Sequence, residues 1–295
     1  MPTELLPART EMAGVALDVA DLDAMRRFYS ETLLLDVQDE RGDKVVLGQG
    51  GQPLVTLRHN PSLPRATRRT AGLFHTALLH PDQASLAATM ASLAADAPQL
   101  FTGSADHAVS EAFYLDDPEG NGVELYVDRP RDQWTWRSGR VHMVTEPLDP
   151  NAFIAEHLTD SARNIIATRA DNRPGWLGDS GTVVGHVHLR VGNTAQAKDF
   201  YVDALGFEVT AEVPGALFVA AGGYHHHMAM NTWGSAGVGL RAPALGLGRV
   251  DITLPDADDL AQAAARLRSR GWDVRDDGPA VEVDDPWGNL VRLLA

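Results

Sequence analysis

One pattern occurs twice in this chain. Asp21-Leu22, Phe28-Tyr29 and Leu33-Leu34-Leu35 return 172 positions later as Asn193-Thr194, Phe200-Tyr201 and Leu205-Gly206-Phe207. Near the end of each copy, Asp117-Pro118-Glu119-Gly120-Asn121 returns 168 positions later as Asp285-Pro286-Trp287-Gly288-Asn289. A duplication of this length restricts the chain to architectures assembled from repeated supersecondary units. The copies, about 12–130 and 184–295, predict two tandem domains over 10–130 and 183–295 with a connector over 131–182. The connector holds Trp134, Trp136, Pro147, Pro150, Pro174-Gly175 and Trp176. Its three tryptophans predict a packed segment, and a short helix is expected near Asn151–His157.

Each half divides again into two similar units. Segments of alternating, β-favouring residues open them at Gly14–Val19, Leu73–Leu79, Gly185–Val191 and Arg249–Leu254. Asp21, Asp82, Asn193 and Asp256 follow, residue types that cap helices. Apolar residues at three- and four-residue steps then predict helices over Asp23–Thr32, Gln83–Ala95, Ala195–Leu205 and Ala257–Gly271. Short strands fill the remainder, among them Val45–Leu47, Pro53–Arg58, Leu217–Ala220 and His226–Met230. The fold class expected is α+β, built from four β-α-β-β-β units.

Composition removes several functions. With 25 basic against 40 acidic residues the net charge is −15, which disfavours nucleic acid as a partner. No run of apolar residues is long enough to span a membrane, and the N-terminus lacks the features of a signal peptide, so a cytoplasmic location is expected. The absence of cysteine excludes disulfides, thiolate metal sites and a cysteine nucleophile. Any resident metal must be held by His and carboxylate.

The Asp117–Asn121 segment reads as a turn, because Pro presets φ and Gly or Asn accepts positive φ. Glu124 follows between Val123 and Leu125 in the returning strand, where a covered carboxylate needs a partner such as a cation. The other half places Arg292 at the equivalent position, so only one half offers this carboxylate.

These units and turns resemble the vicinal-oxygen-chelate superfamily of glyoxalases, extradiol ring-cleaving dioxygenases and antibiotic-resistance proteins. His107 followed by Phe113-Tyr114-x-x-Asp117-Pro118-x-Gly120 and Glu124 resembles the extradiol dioxygenase signature, departing from it at Ala105. Gly185-His186-Val187-His188-Leu189 and Gly222-Gly223-Tyr224-His225-His226-His227 resemble segments of the bacterial catechol-2,3-dioxygenase group. The resemblance implies paired units forming cupped mixed sheets, with metal ligands on first strands and on a last strand. Ligand positions seven residues before the caps fall on Gly14, His75, His186 and Arg249, of which only the two histidines can ligate.

It therefore implies a metal site of His75, Glu124 and His186 that spans the two halves, suited to Fe(II) or to Mn(II). His226 is implied as an acid–base residue, with His107 and Tyr114 toward the substrate hydroxyls. The activity implied is extradiol cleavage of a catechol-like diol with O2, and the fold is compatible with self-association into a homo-oligomer. Two rival functions stay open, a glyoxalase-type isomerase or lyase on Ni(II), Zn(II) or Mn(II) and a metal-free binding protein. Two separate cups are the rival geometry, one holding His75 and Glu124 and the other His186 with a member of His225–His227. His188 competes with His186 for the ligand role. The three adjacent histidines are expected in a strand, so that either the middle one or the outer two face the cup. His59, His80, His142 and His157 read as surface or packing residues, and Phe218 and Trp233 as core or pocket wall.

Overall fold

The computed structural model describes residues 5–168 and 181–295. Pro174-Gly175 and Trp176 of the connector lie outside the described residues. The first unit runs β1 (Glu11–Val19), α1 (Leu22–Arg27), β2 (Asp36–Arg41), β3 (Lys44–Gln49) and β4 (Gln52–His59). The second runs β5 (Gly72–His80), α2 (Gln83–Asp96), β6 (Phe101–Asp106), β7 (Ser110–Asp116) and β8 (Gly122–Asp128). The connector contributes a small hairpin, β9 (Trp136–Arg137) and β10 (Arg140–Val141), then α3 (Pro150–His157) and α4 (Asp160–Thr168). The third unit is β11 (Val183–Arg190), α5 (Thr194–Lys198), β12 (Glu208–Val213), β13 (Ala216–Ala220) and β14 (Met228–Asn231). The fourth is β15 (Gly246–Thr253), α6 (Ala257–Ser269), β16 (Val274–Asp276), β17 (Ala280–Asp284) and β18 (Leu290–Leu294).

All four expected caps act. Asp21 accepts from the Ala24 amide, Asp82 from Ser85, Asn193 from Ala195 and Gln196, and Asp256 from Asp259. Helices α1 and α5 each widen into a π-helical turn, Phe28–Thr32 and Asp199–Ala204, which buries the repeated Phe-Tyr pair. The pattern Asp-Pro-x-Gly-Asn forms the expected turn, with Gly120 at φ +87°.

Two eight-stranded sheets result, and each takes one unit from each half of the sequence. Units one and four share the order β16-β17-β18-β15-β1-β4-β3-β2, and units two and three the order β12-β13-β14-β11-β5-β8-β7-β6. At the centres β1 runs antiparallel to β15 and β5 to β11, while each first strand pairs in parallel with the last strand of its unit. One continuous apolar core joins the helices to both sheets, including Phe28, Phe113, Phe200, Leu267 and Trp287. In the first sheet Arg249 and Arg292 both grip Asp251, at 2.6 and 2.9 Å, so the positions equivalent to His186 and Glu124 form an ion cluster.

The connector is packed more selectively than its tryptophans suggest. Trp134 is buried and its indole donates to the Arg129 carbonyl, but Trp136 on the hairpin is 40% exposed. Asp149 caps α3, and Phe153 packs edge-on against Phe113 with ring centroids 4.9 Å apart.

Candidate metal centre and substrate cavity

The site is organised around Ala77 in the middle of β5. Its neighbour in parallel β8 is Glu124, and its neighbour in antiparallel β11 is His186. His75 lies two residues earlier on the same strand and so on the same face. A methyl group at position 77 leaves room above the sheet, and the three larger side chains converge over it. One ligand atom from each of His75, Glu124 and His186 lies within 4.8 Å of the others. Glu124 Oε2 is 3.0 Å from His75 Nε2 and 3.1 Å from His186 Nε2. Pairing of β5 with β11 brings together side chains that the two-cup geometry would keep apart.

Residue 185 explains how His186 reaches this place. The β5–β11 register skips Gly185, which forms a bulge between Val184 and His186. A Cβ there would stand 1.8 Å from the Tyr126 hydroxyl. Tyr126 instead crosses the bulge and meets the Tyr224 hydroxyl at 2.7 Å, linking the two halves beneath the site.

Charge and burial fit a divalent cation. Burial opposes ionisation of Glu124, yet His186 and His75 hold its carboxyl well below the ordinary range. Burial lowers His186 to about 4, so its ring is neutral at physiological pH and offers a lone pair. His75 Nε2 is buried without an aligned hydrogen-bond partner although it points at a carboxylate oxygen. Two imidazole nitrogens and one carboxylate oxygen converge here, with His75 Nε2 left without an aligned hydrogen bond, and this donor set matches a first-row divalent ion with open positions.

Beside this cluster opens a cavity of about 930 Å³. His75 and Glu124 reach its wall, whereas His186 sits behind them and is 1% exposed. His107 and Tyr114 line it as expected, joined by a 2.7 Å hydrogen bond. The Val144 carbonyl lies 2.6 Å from His107 Nδ1, so that nitrogen carries the proton. In the neutral ring Nε2 then accepts from Tyr114. Burial, then the Glu124 charge, raise Tyr114 well above 10 and keep its hydroxyl protonated.

The histidine run departs from expectation. His225, His226 and His227 precede β14 rather than lying within it, because the positive-φ pair Gly222-Gly223 turns the chain and regular strand begins at Met228. Strand alternation therefore does not apply, and all three are buried. His227 Nδ1 accepts from the Ala221 amide, and only His226 reaches the cavity. Asp128 accepts from His225 Nε2 at 2.9 Å, and His225 Nδ1 lies 2.8 Å from His226 Nδ1. The carboxylate fixes the tautomers in series: His225 donates to Asp128, His226 donates to His225, and His226 Nε2 keeps its lone pair.

His188 shares the face of His186, but its Nε2 accepts from Asn231 at 3.0 Å and its ring packs on Phe74. Phe218 and Trp233 form pocket wall. Of the other histidines, His59 and His142 are exposed, His157 stacks on Phe153, and His80 is fully buried with neither ring nitrogen hydrogen-bonded. The sequence reading missed Met143, Val144 and Thr145, which bring the connector into the cavity wall, and it missed Asp128, Asn231 and Arg190. Alternation along β11 placed Arg190 on the face of His186 and was the available signal for it.

Among the described residues, no helix is long and apolar enough to cross a membrane. Residues 183–293 match the family model of the Glyoxalase/Bleomycin resistance protein/Dioxygenase superfamily, and residues 14–126 match a glyoxalase-like domain. Catechol-2,3-dioxygenase of Bacillus subtilis (strain 168) is 35% identical over 289 residues, covering 94% of each chain. A crystal structure described as a dioxygenase of Bacillus subtilis aligns with TM-score 0.62 at 13% identity, over 99% of this chain and 86% of that one. Glyoxalase I from Zea mays aligns with TM-score 0.55 at 16% identity, over 97% of this chain and 92% of that one. With a curated relative matched along nearly its whole length and family models matching both repeats, the chain belongs to the glyoxalase/bleomycin resistance protein/dioxygenase superfamily.

Proposed function

We propose that the protein is an extradiol dioxygenase that opens the ring of a catechol-like diol with O2, beside rather than between the two hydroxyls. The observation that carries this reading is the placement of His75, Glu124 and His186 at one end of a cavity whose wall also presents His107, Tyr114 and His226. Similarity to the Bacillus subtilis catechol-2,3-dioxygenase supports it. The three ligands suit Fe(II), or Mn(II) by the same donor logic. When bound, such an ion supplies a common coordination site for diol and O2 and a path for electrons between them.

The chain's own groups then act on protons and orientation. His226 Nε2, held as an acceptor by the Asp128–His225 pair, takes a proton at the oxygen side of the cavity and returns it during ring opening. Tyr114 donates to His107, which leaves the phenol oxygen to accept from a substrate hydroxyl. His107 is oriented by the Val144 carbonyl, so the connector sets the geometry of this pair. Phe74, Phe218 and Trp233 supply apolar surface for the ring. Both atoms of O2 enter the product, and no external reductant is consumed.

A glyoxalase-type isomerase calls for a second carboxylate. By strand register the third-unit counterpart of Glu124 is Ala229, which faces His188 as Glu124 faces Ala77. The donor set thus supports the dioxygenase over the isomerase. The test is metal content of anaerobically purified protein, wild type and His186→Ala, followed by oxygen uptake with catechol. About one iron per chain, lost in the variant, with O2-dependent formation of a yellow ring-opened product is the expected result. Metal that survives the substitution, or folded protein that neither binds metal nor consumes O2, would overturn the proposal.

A further inference from the structure

The strand that carries His186 also carries a cation farther into the cavity. His186, His188 and Arg190 alternate onto one face of β11. Arg190 stands four residues beyond His186, about 13 Å along an extended strand, and it lines the same cavity as His75, Glu124 and His188. Its Nε donates to the Thr70 carbonyl at 3.3 Å. Among the described residues its guanidinium has no ion-pair partner. The nearest acid acting on it, Asp116, is held by Arg68 at 2.5 Å. One guanidinium thus holds the carboxylate and a second lies within its field, so a net positive charge remains on this part of the cavity wall. The other carboxylate of this cavity, Glu124, is committed to two imidazoles. Burial, and then the neighbouring Arg68, lower the pKa of Arg190 from its ordinary value.

A half-buried cation in a cavity whose two acids, Asp116 and Glu124, are already engaged by other groups, and whose wall also presents Phe74, Phe218 and Trp233, lacks the counter-charge that such a position calls for. The planar fork of a guanidinium matches a carboxylate with two parallel hydrogen bonds. We propose that Arg190 is an anion subsite of this cavity, and that the preferred substrate is an aromatic diol with a short carboxylate arm on the ring edge away from its hydroxyls. This assignment rests on the proposed diol cleavage and specifies its substrate class.

The experiment compares 3,4-dihydroxyphenylacetate with the neutral 4-ethylcatechol on Fe(II)-loaded wild type, Arg190→Met and Arg190→Lys. In wild type the carboxylated diol has a kcat/KM about tenfold or more above that of the neutral one, chiefly through KM. Arg190→Met lowers the ratio of the two kcat/KM values about tenfold, and Arg190→Lys, which keeps the charge, restores part of it. A wild-type ratio near unity, or the same ratio in wild type and Arg190→Met, would overturn the subsite. Equilibrium dialysis of both diols against the three proteins separates this outcome from failure of the dioxygenase reading. Charge-dependent binding without O2 consumption retains the anion subsite and rejects ring cleavage, whereas cleavage of both diols with no dependence on residue 190 does the reverse.

Discussion

Tyr29, in the π-helical turn after α1, donates its hydroxyl to Asp117 Oδ2 in the turn between β7 and β8 at 3.2 Å. Tyr201 repeats the bond to Asp285 at 3.0 Å. The two repeated motifs of the sequence therefore meet each other in space. Each half is fastened by a helix-to-turn bond, while each sheet is assembled from strands of both halves. Glu119 adds to the fastening in the first half by accepting from the Ala20 and Asp21 amides.

Asp117 is almost fully buried, and desolvation raises its pKa to about 6 against the hydrogen bonds from Asn121, Glu119 and Tyr29. A folded-state pKa above the unfolded value means that this group favours the fold at low pH. That contribution is complete below about pH 4 and is lost as pH rises through about 6. Tyr29→Phe removes one donor to the charged form. It is expected to cost about 1–3 kcal/mol at pH 7.5 and less at pH 5, where the carboxyl is protonated. Urea unfolding of wild type and variant at both pH values measures the difference, and an equal cost at the two would show that the bond does not sense the charge.

His80 acts in the opposite direction. Burial lowers its pKa to about 4, and neither ring nitrogen has a hydrogen-bond partner. The neutral ring is tolerated above its unfolded value near 6.5, and stability is lost as pH falls from there through about 4. His80→Leu removes this titration and is expected to retain up to about 3 kcal/mol more stability at pH 4 than wild type, relative to their difference at pH 7.5. Acid titration followed by circular dichroism reads it as a lower unfolding midpoint.

Ala77 allows the convergence of the three proposed ligands to be tested without replacing any of them. Its side chain is fully buried between Glu124 and His186 on the neighbouring strands. Ala77→Val suits a strand but fills the floor of the site, at a stability cost of about 1–3 kcal/mol. The expected result is a folded protein whose metal affinity falls about tenfold to a hundredfold. Unchanged metal affinity would place the cation elsewhere.

Asp128 touches neither the cavity nor a ligand, and it acts through His225 on His226. Asp128→Ala is expected to lower kcat about tenfold to a hundredfold with little change in KM or metal content. Nitrogen chemical shifts of His226 report the tautomer directly and should change from a single form in wild type to a mixture in the variant. A normal kcat alongside an altered tautomer would remove His226 from the proton-handling role.

Local chemistry made much of this molecule legible. Asp21, Asp82, Asn193 and Asp256 cap their helices because a short polar side chain satisfies nearby amides in any context. The candidate set His75, His186 and Glu124 came from the resemblance rather than from local chemistry; alternation put His188 on the face of His186, while Arg190, two residues farther along the same strand, went unnoticed. The run at His225–His227 was misread as strand, since the glycine pair before it delays the strand to Met228 and burial comes from loop packing.

By itself the sequence determined the number of units and the order of strands and helices within each. These follow from spacing and from interactions a few residues long. The tertiary structure decided which units share a sheet, that Val144 of the connector orients His107, and that Asp128 governs His226 through His225. Asp128 and His225 are 97 positions apart, and a pairing at that distance exists only after the sheet closes. Convergence of the candidate ligands has the same origin, because Ala77 becomes the common neighbour of Glu124 and His186 only when β5 lies between β8 and β11.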